Sequence, residues 1–232
     1  MQKRPVLTRE RLDGTAVDIE FLLIAVIQGF ALATLAVDSD AVIGGAEWQY
    51  WPYVLGAFIL ILNFWSLAIV HSISFISWPF DLVHTLLYFL VAFVEVAAFA
   101  QVTHPATWFG MMMVFFLVSA LLYAWDLKMI RERRAEFDDT PARRRLYDHI
   151  LRWQVLEIRW VVPAAIVFQA AVVAAMLSAP DLVLGGNRHF YVILAQDLFG
   201  LVYLLAIVRT FAARRSLLTA CADADQGIIA PR

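Results

Sequence analysis

The stretch Tyr50 to His71, YWPYVLGAFILILNFWSLAIVH, carries no charged residue before its closing histidine. A helix over it would be about 33 Å long at 1.5 Å per residue, enough to cross a hydrocarbon core of about 30 Å. At that depth no water satisfies backbone N–H and C=O groups, so such a run must be a helix or a strand of a closed barrel. Barrel strands alternate apolar and polar residues, and this run does not. Five more runs share its character, and together they predict spans at residues 18–37, 50–71, 79–101, 105–127, 160–179 and 190–210. The fold class expected is all-α: a polytopic membrane protein, a bundle of six transmembrane helices. Composition agrees, with 62% hydrophobic and only 16% charged residues, where a soluble domain carries about a quarter charged.

Basic residues set the direction. Four Lys or Arg precede the first span, nine lie between residues 128 and 159, and four follow from Arg209 onward; only Arg188 falls elsewhere. Because Lys and Arg are retained on the cytoplasmic face, both termini are expected there. The chain then divides into a basic cytoplasmic N-terminus (1–17), four spans (18–127), a basic amphipathic cytoplasmic loop or helix (128–159), two spans (160–210) and a polar cytoplasmic tail (211–232). Trp48, Tyr50 and Trp51 mark the outer edge, and Trp78, Trp125 and Trp160 the inner one. Rings with an apolar body and a polar tip suit that level. The first twenty residues show no short apolar core before a small-residue cleavage site, so the first span reads as an inserted helix. The expected location is an integral membrane one, the bacterial inner (cytoplasmic) membrane.

Within residues 128–159, Asp139-Thr140-Pro141 marks a helix start, with Thr140 as cap and Pro141 in the first turn. Leu146, Ile150, Trp153 and Trp160 then recur at helical spacing opposite several arginines. Such a stripe either packs on other helices or lies on anionic headgroups. Arg143-Arg144-Arg145 does not point to nucleic acid in a chain of net charge −2. The single cysteine, Cys221, excludes an intrachain disulfide and a cysteine-rich metal site. No P-loop, Rossmann glycine pattern, zinc motif or serine-hydrolase elbow occurs. No catalytic residue, metal or cofactor is expected.

The third span carries the most information. At about 100° per residue, Asp81, His84, Thr85, Tyr88 and Glu95 share one side of the helix, and the rest is Leu, Val, Phe and Ala. An ionised group facing lipid costs several kcal/mol, so this stripe must face protein or water. Glu95 and, in the sixth span, Asp197 are expected at similar depths in the outer half, with no basic residue at their level. Two such carboxylates invite a shared proton or a cation. Asn63 in the second span adds an amide. These residues, Asp81, His84, Tyr88, Glu95, Asp197 and Asn63, are the candidates for an ion or proton pathway. Arg11, Asp18, Glu20 and His71 form a candidate charge network at its cytoplasmic mouth, where histidine titrates near neutral pH.

Length, six spans and a Trp65…His71 pair in span 2 are similar to the six-span bacterial and lysosomal potassium channels. Their first helix carries Arg-x-x-x-Phe-Ser-Asp; here Arg11 is followed by LDGTAVD, with Thr15-Ala16-Val17 where Phe-Ser-Asp belongs. The similarity therefore stops at topology, length and the Trp65…His71 pair, and membership is not assigned. A small proton or monovalent-cation channel or transporter is the first function expected, working as a homo-oligomer or beside a partner membrane protein. The alternative is a non-catalytic membrane scaffold or accessory subunit. A b-type haem protein is a third, with His71 and His84, or His104 and His189, as axial pairs; all four sit at span ends, where helices enclose a porphyrin poorly.

Overall fold

Every apolar run within the described residues is helical in a computed structural model of the chain, which describes residues 9–74, 81–136 and 140–225. The helices are α1 Arg9–Gly44, α2 Trp51–Ser74, α3 Leu82–Phe99, α4 Pro105–Glu136, α5 Pro141–Leu156, α6 Val162–Ser178, a short α7 Pro180–Val183, and α8 His189–Asp225. No strand occurs among the described residues. Six helices are long and apolar enough to cross a membrane, α5 and α6 joining to form the fifth. Such a set of helices is that of an integral membrane protein. Leu22, Phe30, Phe93, Val167, Leu198 and Val202 are exposed on the outside of the bundle, as lipid contact requires.

Several helices outrun the hydrocarbon core. α4 continues to Glu136 and α8 to Asp225, and α5 runs into the fifth span. Much of what reads as a loop and a tail is thus helical extension. The extensions pack on one another: Met129 and Ile130 of α4, Leu146, Tyr147 and Ile150 of α5, and Cys221 of α8 form one buried cluster. Arg134 and Asp148 add an ion pair at 2.6 Å. The stripe of Leu146 and Ile150 therefore meets protein, not headgroups, and the Cys221 thiol is buried. The α5 start is as expected: the Arg143 N–H donates to Thr140 Oγ1 at 3.3 Å, with Pro141 in the first turn. Thr140→Ala is expected to lower stability by about 1 kcal/mol, read as a lower denaturation midpoint in detergent. This end, rich in Lys and Arg, is called the basic end. At the far end the starts of α2, α4 and α8 meet, where Tyr53 stands edge-on to Trp108 at 5.5 Å and its hydroxyl lies 3.2 Å from His189 Nδ1.

One wide π-helical turn, Glu157–Val161, joins α5 to α6. Pro163 explains it: in an unbroken α-helix its ring would clash with the carbonyl of Arg159 four residues back, and it has no N–H to donate there. Widening the preceding turn relieves both. The extra residue also rotates the phase of the face. Trp160, expected in register with Leu146 and Ile150, is instead 66% exposed, whereas Glu157, before the widened residues, keeps their face and is fully buried.

The helices fall into two closely packed groups. α2 lies along α8, while α4 packs against both α3 and α6; α1 bridges α2 and α3, and α5 bridges α4 and α8 at the basic end. Small residues let α2 and α8 approach. A Cβ on Gly200 would stand 2.9 Å from Ile59 Cγ2, and one on Gly56 would collide with Asp197 Oδ1. Gly200→Leu should overpack this contact and cost about 1–3 kcal/mol, visible as a lower melting temperature. A seam is left between the α2–α8 pair and the α3–α4–α6 group.

Candidate functional site

The seam holds an interior cavity of about 140 Å³. Its wall on α2 runs from Gly56 to His71, a rise of about 22 Å at 1.5 Å per residue. Most of the wall is apolar, contributed by residues such as Leu60, Phe64, Met112 and Phe115. Polar groups occur at three levels.

At the basic end, His84 Nε2 lies 3.2 Å from Asp126 Oδ1, and His71 is within electrostatic reach of both. Asp81 caps α3, accepting from the His84 N–H at 2.8 Å and from Trp125 Nε1 at 3.1 Å. In the middle lie Tyr88, whose ring stacks on Phe64 at 4.9 Å, together with Ser119 and Asn63. The Asn63 amide donates to the Gly200 carbonyl at 3.0 Å, tying α2 to α8. Toward the far end are Asp197 and Gln196, and Gln169 of α6 donates to Gln196 across the seam at 2.8 Å.

Asp197 is the exceptional group. It is 5% exposed, and neither of its carboxylate oxygens has a hydrogen-bond partner among the described residues. Almost every buried polar group in a native fold is satisfied, and the exceptions need a reason.

A second polar cluster borders the basic end of the cavity. Glu157 accepts from Trp153 Nε1 at 2.6 Å and from the Tyr203 hydroxyl at 2.5 Å. The Tyr203 hydroxyl is also 3.5 Å from that of Tyr123, whose backbone carbonyl accepts from Gln154 at 3.1 Å. Arg214 is buried and feels the Glu157 charge. This network joins α4, α5 and α8 across the seam.

Of the sequence-predicted pathway residues, His84, Tyr88, Asn63 and Asp197 line one cavity and Asp81 supports its basic end. Glu95 does not line it. Glu95 is fully buried and accepts from the Gln28 amide of α1 at 3.3 Å, whereas Asp197 sits against Gly56 of α2. The two carboxylates face different helices. Of the expected mouth network, His71 lines the cavity, Asp18 is exposed, and the side chains of Arg11 and Glu20 lie outside the described residues. A haem fits poorly. The cavity is below the ~300 Å³ at which pockets for sizeable ligands begin, and His84, His104 and His189 already face Asp126, Thr103 and Tyr53.

Asp126 and Ser119 escaped the sequence reading, although the rule applied to span 3 finds them: Met112, Ser119 and Asp126 recur every seven residues on the cavity face of α4. Glu157 escaped it too, although it follows Ile150 by seven residues and Leu146 by eleven, on the buried face of α5. Comparison with protein-family models, with curated proteins and with solved structures finds no match to this chain.

Proposed function

We propose that this integral membrane protein is a small channel or transporter for protons or a monovalent cation, with the seam cavity as its pathway. Asp197 carries the proposal: a buried carboxylate without a partner, on the wall of a cavity that reaches His71, His84 and Asp126. An unpaired buried charge is costly, and in membrane bundles such groups are kept where a positive species binds or passes. The two histidines at the other end are the side-chain type that ordinarily titrates nearest neutral pH. By the retention of Lys and Arg on the inner face, the basic end is assigned to the cytoplasm. There the exposed Lys128, Arg131 and Arg145 stand beside anionic headgroups.

Flux into liposomes tests this directly. Reconstituted protein should dissipate an imposed proton, sodium or potassium gradient faster than protein-free liposomes. Ser119→Phe, which puts a ring into the cavity, should slow that flux at least about tenfold, a barrier change of roughly 1.4 kcal/mol. Equal leak with and without protein, for all three ions, would remove the proposal.

A further inference from the structure

The middle and far levels of the cavity share a chemical bias. Asp197 presents two unpartnered oxygens, and Asn63 Oδ1 and Ser119 Oγ are also buried without hydrogen-bond partners among the described residues. The orientation of the Asn63 amide is fixed, because its nitrogen donates to the Gly200 carbonyl; its oxygen is the group left over. These oxygens come from α8, α2 and α4, and all three residues line the same cavity. Among the described residues no Lys or Arg lines it, and His71 and His84 sit at its other end. The Asp197 carboxylate and Asn63 Oδ1 are acceptors, and a hydroxyl can accept as readily as donate. A neutral ligand with both donors and acceptors would leave this bias unanswered; a cation answers it.

We infer that Asp197, with water bridging toward the oxygens of Asn63 and Ser119, forms a binding site for a partly hydrated monovalent metal cation, of the sodium or potassium type, within the seam between α2–α8 and α4. One carboxylate with neutral oxygens supplies a single negative charge. Calcium sites use several carboxylates, and transition metals favour nitrogen or sulfur ligands; no cluster of three or more His, Cys, Asp or Glu occurs among the described residues. The cavity exceeds what a bare ion occupies and has room for several waters; these complete the coordination at Asp197 and span the distance to Asn63, which stands seven residues, about 10 Å, beyond Gly56 along α2. Gly56 is part of the site: a Cβ there would displace Asp197 Oδ1. Gly56→Ala should therefore weaken binding although it adds only a methyl group.

This site deepens the proposed function, and equilibrium binding separates the two. Purified wild-type protein in detergent is exposed to radioactive sodium, and to radioactive rubidium as a potassium substitute, against a choline background. Saturable uptake of one ion is expected, approaching one per chain, with at least a tenfold loss of affinity in Asp197→Asn and a smaller loss in Ser119→Ala. Thermal unfolding of the unmodified protein gives a check independent of any variant. The melting temperature should rise by about 5 °C between choline and a saturating concentration of the bound ion. Absence of saturable binding together with a melting temperature indifferent to sodium and potassium would overturn the site, and stabilisation by acid alone would assign Asp197 to a proton instead. Flux without cation binding would leave the pathway standing and remove the site. Binding without flux would keep the site and remove the transport function.

Discussion

Replacing Asp197 with asparagine is expected to cut proton or cation flux by at least about tenfold while leaving the fold intact. Asparagine keeps the size of the side chain and its seat against Gly56, so only the charge and the two equivalent oxygens are lost. The melting temperature should move by no more than about 2 °C, the usual scale of a change below 1 kcal/mol in a chain of this size. Glu95→Gln is the informative control. Glu95 is equally buried but is bonded to Gln28 and absent from the cavity wall, so its substitution should leave flux within about twofold. The comparison is made in liposomes under one gradient, with protein content matched. If Glu95→Gln stops flux and Asp197→Asn does not, the pathway runs between α1 and α3, and the cavity is not its route.

The largest effect on stability should come from Glu157→Leu. The carboxylate holds two buried donors, Trp153 Nε1–H and the Tyr203 hydroxyl, and a buried donor left without an acceptor costs about 1–3 kcal/mol. Losing both predicts a destabilisation of about 4 kcal/mol, or about 10 °C in melting temperature. Removing the charge beside buried Arg214 acts in the same direction. Glu157→Gln retains an oxygen that can accept from both donors and should lose less than half as much. Thermal unfolding followed by near-ultraviolet circular dichroism, which reads the packing of the aromatic side chains, gives the midpoints. Equal losses for Leu and Gln would mean that charge, and not hydrogen bonding, holds the turn.

The helices were legible because lipid imposes a simple rule: runs of about 20 apolar residues have only one way to satisfy their backbone here. Their ends were not. Hydropathy marks where lipid stops, but α4, α5 and α8 continue because Ile130, Leu146, Ile150 and Cys221 bury one another beyond that point. Periodicity found the polar face of α3 correctly, since each residue of that face packs inward. It did not assign partners, because a face shared by His84 and Glu95 meets α4 at one level and α1 at another. Asp197 was legible as an intramembrane carboxylate. Its neighbours were not, as they follow from Gly56 and Gly200 drawing α2 against α8. Pro163 was the visible cause of the wide turn, yet only the three-dimensional path shows that the turn carries Trp160 outward.

Conduction requires water in the seam. Hydroxyl-radical labelling of the reconstituted protein, read residue by residue by mass spectrometry, measures this most directly, because radicals form where water is. Tyr88, Met112 and Tyr203 line the cavity, whereas Phe99, Trp108 and Phe109 are fully buried in the apolar packing away from it. A hydrated pathway predicts that the first three are modified much faster than the second three, once rates are scaled by the intrinsic reactivity of each side-chain type. Uniformly slow modification of both sets would show a dry cavity and contradict the proposed pathway.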